Sequence, residues 1–137
     1  MLAGEGANAY RSPVIDADPS PRQRKLIVAA ALIDPDQQVL IQKRPKGKPL
    51  AGLWEFPGGK IEPYEGLAAG LVRELHEELG IIVQECDLEP FAFNMVASEG
   101  DDLILLLYIC RGWEGIPTPL VAEDLHWCAT DQLANFD

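Results

Sequence analysis

The spacing of hydrophobic residues changes along this chain, and each spacing predicts a different secondary structure. Residues 26–33 are an unbroken apolar run of strand length, typical of a strand buried on both faces. Turn-forming residues follow at 34–37, and residues 39–41 begin a returning strand. Residues 91–97 and 103–110 flank a turn-rich stretch and predict a hairpin, and residues 125–128 predict a short last strand.

Residues 65–79 carry the clearest helical pattern. Leucines recur every four residues and so share one face: Leu67, Leu71, Leu75 and Leu79. Gly80 follows where a left-handed C-terminal cap belongs, and Thr130 could cap a final helix. The pattern predicts a mixed α/β (α+β) fold, an α/β/α sandwich with a mixed sheet, a central helix and a second helix at the C-terminal end.

The chain divides into two parts by composition. Residues 1–24 contain two glycines, three prolines and no sustained apolar period, so we expect a flexible N-terminal extension. Residues 25–137 are expected to form one domain, since 137 residues are too few for two ordinary ones. The chain stops barely two turns into the final helix, and we expect the domain to be truncated at its C-terminus.

Composition and charge restrict the classes of partner. The formal net charge of −11 argues against stable nucleic acid binding, which needs a basic surface. It should also repel a phosphorylated substrate unless a metal or a local basic patch intervenes. No apolar run is long enough to span a membrane and no signal peptide is visible, so a cytoplasmic protein is expected. The scattered cysteines Cys86, Cys110 and Cys128 predict reduced thiols rather than disulfides.

Three glutamates on the predicted helix form the most informative cluster. Glu74, Glu77 and Glu78 fall within one arc of the helix, and Glu74 and Glu78 border the leucine stripe. Carboxylates held at a seam between helix and sheet suit Mg²⁺ or Mn²⁺. The alternative is an ordinary solvated acidic face, partly offset by an ion pair between Arg73 and Glu77.

The surrounding residues decide between these two interpretations. They fit the pattern G-x5-E-x7-R-E-U-x-E-E-x-G-U, with U apolar, at every position: Gly59, Glu65, Arg73, Glu74, Leu75, Glu77, Glu78, Gly80 and Ile81. This pattern is the Nudix box, and the chain resembles the Nudix hydrolases from about residue 25 to residue 131.

The resemblance implies a role for each part of the box. Glu74, Glu77 and Glu78 would ligate Mg²⁺, or Mn²⁺ as a substitute, and Gly58 would add its carbonyl oxygen. Glu65 would begin the helix and support Arg73, which would orient the glutamates. The metal would neutralise a pyrophosphate and activate the attacking water.

Segments outside the box are similar to the MutT-like branch, which hydrolyses nucleoside triphosphates, including oxidised purine nucleotides such as 8-oxo-dGTP, to monophosphate and pyrophosphate. Residues 53–63 (LWEFPGGKIEP) carry most of this similarity. It implies that Arg44 contacts the substrate and that Glu55, Phe56 and Pro57 line the nucleotide pocket. A basic cluster supports a phosphate-facing patch: Lys43, Arg44, Lys46, Lys48 and Lys60. Three tryptophans, Trp54, Trp113 and Trp127, could stack on a base or serve as core or rim residues.

Three features depart from the MutT-like pattern. Tyr64 stands where relatives usually carry glycine, and a positive φ there would strain it. Val121 stands where relatives carry a glutamate that binds metal or accepts a proton. Either Glu123 or Asp124 substitutes for it, a box glutamate serves as base, or activity is reduced. The asparagine that reads guanine in that branch would lie after Asp137.

The leading hypothesis is a nucleoside triphosphate pyrophosphohydrolase that protects the nucleotide pool and acts as a monomer or homodimer. Two alternatives remain open. One keeps the box but changes the substrate to ADP-ribose or a dinucleoside polyphosphate. The other is a nucleotide-binding domain with reduced turnover, prompted by Val121 and Tyr64.

Overall fold

The computed structural model describes residues 21–47 and 51–135. Nearly all of the expected N-terminal extension lies outside the described residues, as do Lys48 and the last two residues of the chain. The described part forms seven strands: β1 (Gln23–Leu32), β2 (Gln38–Lys43), β3 (Trp54–Glu55), β4 (Gly58–Lys60), β5 (Leu88–Ser98), β6 (Asp101–Cys110) and β7 (Asp124–Ala129). It has one α-helix, α1 (Leu67–Leu79), and two 3₁₀ helices, Glu85–Asp87 and Thr130–Asn135.

The strands form two sheets. The larger sheet has the order β4-β1-β6-β5, with β1 and β6 parallel and the other neighbours antiparallel, and is the mixed sheet that the pattern predicts. The smaller sheet has the order β3-β2-β7 and is antiparallel. Strand β2 returns from β1 but shares with it only the bridge between Ile33 and Val39. The second sheet is therefore a feature that the apolar pattern did not predict.

The predicted turn between β1 and β2 is present and is stabilised by its first aspartate. The Oδ1 atom of Asp34 accepts hydrogen bonds from the backbone N–H groups of Asp36 and Gln38, at 2.9 and 2.8 Å. Gln37 has a φ of 61° in this turn. The side chain thus replaces part of a backbone turn, as aspartate commonly does.

Helix α1 packs its leucine face on the larger sheet. Leu71, Leu75 and Leu79 are fully buried against even-numbered residues of β1, including Val28 and Leu32. The helix ends as predicted at Gly80, whose φ is 73° and whose N–H donates to the carbonyl of His76.

The beginning of α1 differs from the prediction. The helix starts at Leu67 rather than at Glu65, with Gly66 as its N-cap residue. Glu65 lies in the preceding turn, where its N–H donates to the carbonyl of Glu62. Its carboxylate is engaged by Arg73, so Glu65 acts on the helix through its side chain and not as its first residue.

The larger sheet begins slightly before the predicted domain boundary. Strand β1 starts at Gln23, whose N–H donates to the carbonyl of Gly100 in the turn of the β5–β6 hairpin. Arg22 also bonds Asp102 at the start of β6. Residues 21–24 therefore contact the sheet.

Strand β5 is an edge of the larger sheet and carries several exposed apolar side chains, among them Phe91, Phe93 and Met95.

The final helix expected after Thr130 takes a 3₁₀ form at Thr130–Asn135. Cys110 and Cys128 are buried, Cys86 is exposed, and all three are free thiols. Across residues 21–47 and 51–135, no helix combines the length and apolar character needed to cross a bilayer.

Candidate active site

The glutamates of α1 occupy the seam between the helix and strand β4. The side chain of Glu74 is 14% exposed, that of Glu77 is 56% exposed, and Glu78 is half-buried. A β-carbon at Gly59 would overlap the carboxylate of Glu74, so this carboxylate lies directly on the Gly59 backbone. Two of the three glutamates therefore point where the helical wheel predicts, and the third faces solvent.

Arg73 connects these glutamates to the turn before the helix. Its Nε and one terminal nitrogen donate to both carboxylate oxygens of Glu65, at 2.7 and 3.0 Å. The other terminal nitrogen donates to Glu74 and Glu77, each at 3.2 Å. A further bond reaches the carbonyl of Lys60 on β4, at 3.1 Å. Arg73 thus fixes Glu65 and Glu74 relative to strand β4.

This network shifts the titration of its members. The hydrogen bond from Arg73, with help from the backbone N–H of Glu62, lowers the pKa of Glu65 to about 2. The hydrogen bond to Glu65 raises the pKa of Arg73 above its already high value. The Glu65–Arg73 pair therefore stays ionised at every pH at which an enzyme would work.

Glu78 has a different environment. Its Oε1 atom accepts a hydrogen bond from the Nε2 atom of Gln42 at 2.9 Å and a longer one from the backbone N–H of Gly58 at 3.4 Å. Burial raises the pKa of Glu78 above its usual range, and the neighbouring Glu74 carboxyl raises it further. The bonds from Gln42 and Gly58 offset part of this shift.

The carboxyl groups of Glu74 and Glu78 provide donors that suit a hard divalent cation. They lie close enough to raise the proton affinity of Glu78, and a cation between them would remove that repulsion. Glu77 instead turns toward Arg73. In the part of the chain that the structure describes, no group of three or more His, Cys, Asp or Glu side chains is arranged to hold a metal. The groups that suit a divalent cation are therefore the two carboxylates of Glu74 and Glu78, beside the Gly58–Gly59 backbone.

A cleft of about 670 Å³ is lined in part by Gly58 and Gly59. Its polar lining includes Arg44, Glu55 and Lys60, and its apolar lining includes three residues of β1 together with Leu105 of β6 and Leu133 of the C-terminal 3₁₀ helix. Arg44 and Glu55 form an ion pair at 3.1 Å. Of the predicted substrate-binding residues, the cleft brings together Arg44, Glu55, Phe56 and Lys60.

Pro57 has a different position from these four residues. It is fully buried, and its carbonyl accepts a hydrogen bond from the backbone N–H of Ala30. Among the residues that line the cleft, Pro57 is absent. Its contact with β1 holds the start of β4 against the larger sheet.

The loop that should supply a general base runs past the end of β2. The backbone N–H of Glu123 donates to the carbonyl of Lys43, and its carboxylate lies 3.9 Å from the ammonium of Lys46. Val121, at the position where relatives carry a glutamate, is half-exposed. Glu123 is thus placed beside the basic end of β2, in an ion pair rather than a group of metal donors.

The three tryptophans separate into two environments. Trp54 lines the cleft and meets the ring of His126 edge-on, with ring centroids 6.1 Å apart. Trp113 and Trp127 stack on each other at 6.0 Å and pack against the core. Of the three tryptophans, Trp54 is therefore the one that lines this cleft.

Sequence reasoning missed two parts of the site. The apolar wall of the cleft comes from strand residues that read only as core, including Ile27, Ala29 and Leu105. The sequence alone assigned Gln42 no role, although it is 5% exposed and bonds Glu78. Its signal was a neutral polar residue directly after the buried run at 39–41.

Comparison with known proteins places this geometry in a family. The family profile described as "NUDIX domain" matches residues 23–137. The chain is 46% identical over 95 residues to an 8-oxo-dGTP diphosphatase from Proteus vulgaris, covering 67% of this chain and 81% of that protein. It is 56% identical over 54 residues to a CTP pyrophosphohydrolase from Escherichia coli, covering 39% of this chain and only 40% of that protein.

Solved structures agree with the sequence comparisons. The fold is similar to that of a MutT structure from work on Aliivibrio salmonicida and Vibrio cholerae, with a TM-score of 0.72 and 34% identity. The match covers 84% of this chain and 87% of that one. Nudix hydrolases generally depend on divalent metal ions, in keeping with the carboxylate pair on α1. The chain therefore belongs to the NUDIX family, in the MutT-like branch of its pyrophosphohydrolases.

Proposed function

We propose that this protein hydrolyses nucleoside triphosphates to nucleoside monophosphate and pyrophosphate with Mg²⁺ as its cofactor. One observation carries the proposal. Gly58 and Gly59 line the cleft, and the same two residues contact the carboxylates of Glu78 and Glu74. A nucleotide in the cleft would therefore have its phosphate chain beside the carboxylate pair.

Each site residue has a role in this reaction. Glu74, Glu78 and the carbonyl of Gly58 would hold the cation, and Glu77 would join them when its side chain turns from Arg73. Glu65 and Arg73 would fix Glu74 in place. When bound, Mg²⁺, or Mn²⁺ as a substitute, neutralises phosphate charge and lowers the pKa of water. The water oxygen forms a bond to phosphorus, the phosphoanhydride bond breaks, and the released proton passes to a carboxylate.

The cleft residues would bind the rest of the nucleotide. Arg44 and Lys60 supply positive charge for the phosphates in a chain whose net charge is −11. Phe56 and Trp54 supply aromatic surface for the base. Glu55, which pairs with Arg44, would orient that guanidinium toward the ligand.

The relatives suggest two classes of substrate. The Proteus vulgaris protein is named for 8-oxo-dGTP and the Escherichia coli protein for CTP. We favour an oxidised purine nucleotide, because the match to the 8-oxo-dGTP diphosphatase covers more of both chains. Such an activity would remove damaged precursors from the nucleotide pool before DNA synthesis.

A substrate panel tests the proposal. The protein is incubated with Mg²⁺ and with 8-oxo-dGTP, dGTP, CTP, dCTP and ADP-ribose, and monophosphate and pyrophosphate are measured. We expect the highest kcat/KM for 8-oxo-dGTP. A higher kcat/KM for CTP would make a pyrimidine nucleotide the proposed substrate in place of the oxidised purine. Turnover of ADP-ribose alone would support the alternative class of Nudix substrate. No product from any triphosphate would contradict the proposed function.

Glu123 is the proposed proton acceptor outside the box. Its support is the hydrogen bond from its backbone N–H to the carbonyl of Lys43, the residue next to Gln42, whose side chain bonds Glu78. We expect Glu123→Gln to reduce kcat about a hundredfold or more, in the usual range for general-base catalysis. Unchanged kcat would transfer the role to a box glutamate.

The acidic surface disfavours stable binding of nucleic acid. The proposed nucleotide substrate agrees with action in the cytoplasm. We propose a monomer or a homodimer, which light scattering after size-exclusion chromatography would distinguish.

A further inference from the structure

Gln42 is a buried amide at the end of strand β2, outside the Nudix box. It is 5% exposed, and its Nε2 atom donates to Oε1 of Glu78 at 2.9 Å. Its own Oε1 atom is buried and has no hydrogen-bond partner within the described residues. Strand β2 otherwise presents the apolar residues Val39, Leu40 and Ile41 at buried positions.

The unpaired oxygen is unfavourable for folding. A buried polar atom without a partner loses its hydrogen bonds to water and gains none in return, whereas an apolar side chain of similar length would avoid that loss. The amide cannot simply reverse, since its oxygen would then face the Glu78 carboxylate. The orphaned oxygen is therefore a consequence of directing the N–H group at Glu78.

The bond from Gln42 is also the stronger of the two that Glu78 accepts from the protein. The backbone N–H of Gly58 lies 3.4 Å from the same oxygen, near the limit for a hydrogen bond. Without Gln42, only this long contact and the Glu74 carboxyl would restrict the Glu78 side chain. A glutamate has three rotatable side-chain torsions, so it needs such a constraint to hold one geometry.

We propose that Gln42 is a positioning residue that holds the Glu78 carboxylate in the orientation needed to bind the divalent cation. The inference rests on the proposed function, since it takes Glu78 as a metal ligand. Gln42 acts through Glu78 and does not itself touch the substrate or the cation. Its buried amide, which is unfavourable for the fold, is explained by its effect on the site.

The test compares Gln42→Met with wild type in Mn²⁺ titrations followed by electron paramagnetic resonance, without nucleotide. Methionine keeps the length of the side chain and removes the donor. We expect Mn²⁺ affinity to fall about 10- to 100-fold, the usual effect of removing a partner of a metal ligand. The thermal midpoint should change by no more than about 5 °C, because loss of the orphaned oxygen offsets loss of the bond.

Gln38→Met is the matched control, since Gln38 begins the same strand and pairs there with Ala129. It should leave Mn²⁺ affinity unchanged. In steady-state assays with nucleotide, Gln42→Met should raise the Mn²⁺ concentration that gives half-maximal activity, whereas general loss of folded protein would lower apparent kcat without changing that concentration.

The outcomes separate the two hypotheses. Wild type that hydrolyses nucleotide and binds Mn²⁺, with a Gln42→Met variant of equal affinity, would overturn the role of Gln42 alone. Wild type that binds no Mn²⁺ would overturn the metal-dependent function and this inference with it. If Gln42→Met does not fold, Gln42→Asn decides: its amide is one methylene too short to reach Glu78, so unchanged Mn²⁺ affinity would contradict the inference.

Discussion

The carboxyl group of Glu78 is unfavourable for folding but suits the proposed metal site. It is half-buried beside another carboxyl, and burial and Glu74 together raise its pKa. Only two donors, from Gln42 and Gly58, offset this. A residue chosen for folding alone would not be acidic here, so the position agrees with the proposed role of Glu78 as a ligand of the cation.

We predict that Glu78→Gln lowers kcat at least about a hundredfold, because an amide cannot supply the negative charge that a metal ligand needs. Nucleotide hydrolysis with saturating Mg²⁺ measures the effect, and circular dichroism verifies the fold. Glu89→Gln, at an exposed position on β5, is the control and should retain full activity. Turnover of Glu78→Gln near the wild-type value would remove Glu78 from the metal site.

Tyr64 shows local strain in the backbone. Its φ is 71° and its side chain is fully exposed. The left-handed conformation is costly for a residue with a β-carbon, and no buried contact of the ring compensates. Because relatives usually carry glycine at this position, the sequence predicted that a positive φ would strain Tyr64. The structure confirms the positive φ.

We predict that Tyr64→Gly raises the free energy of unfolding by roughly 0.5–1 kcal/mol, since relief of about 1–2 kcal/mol of strain exceeds the added entropy of the unfolded chain. Urea denaturation measures the change. Glu62→Gly, in the same turn without a positive φ, should be destabilising. A loss of stability in both variants would mean that Tyr64 is not strained.

At the scale of elements, the site depends on how closely strand β4 approaches its neighbours. A β-carbon at Gly58 would overlap the backbone of Val28 and Ala29 on β1, whereas one at Gly59 would overlap the carboxylate of Glu74 on α1. Backbone atoms in a paired strand cannot move aside, but a side chain can change its torsions. Gly58 therefore allows β4 to approach β1 closely, whereas Gly59 leaves space for the Glu74 carboxylate of α1.

This difference predicts separate effects for two matched substitutions. Gly58→Ala should cost about 1–3 kcal/mol of stability, because it forces β4 away from β1. Gly59→Ala should cost less stability but should lower kcat about tenfold or more, because it displaces Glu74. Urea denaturation and nucleotide hydrolysis, measured on both variants, test this. Equal stability losses, or full activity of Gly59→Ala, would contradict the assignment.

At the scale of the whole molecule, an ion pair ties together the N-terminal ends of β1 and β6, the two central strands of the larger sheet. Arg22, just before β1, donates to Asp102 at 2.9 and 3.1 Å, and Arg24 lies 3.5 Å from the same carboxylate. The hydrogen bonds from Arg22 lower the pKa of Asp102 below its ordinary value of 3.8. The carboxylate form is thus favoured in the folded state.

A lowered pKa makes the contribution of Asp102 depend on pH. Its stabilisation is complete above the ordinary value of 3.8 and disappears as the pH falls through the lowered folded-state value. We predict that Asp102→Asn is less stable than wild type at pH 7 and that the difference closes in strong acid, as measured by urea denaturation across pH. Asp36→Asn controls for removal of one negative charge, and a difference that stays constant with pH would contradict the prediction.

Much of the fold could be predicted because its signals are local. The apolar run at 26–33, the leucine period of α1 and the turns at 34–37 and 98–102 each gave an element within a few residues of its observed bounds. The start of α1 was wrong by two residues, since Glu65 is held by Arg73 rather than by helical hydrogen bonds. The division into two sheets was missed, because the partner of a strand depends on distant residues that no local pattern contains.

The sequence by itself determined the chemistry of this protein. The spacing of Glu74, Glu77 and Glu78 places them within one arc of a helix, and the residues around them complete the Nudix box. Only the tertiary structure decided which of these groups meet. It turned Glu77 toward Arg73, put Gln42 against Glu78, and closed the cleft with residues from β1 and β6. These contacts join residues far apart in the chain, and their distances arise from packing of whole strands and helices rather than from the order of residues.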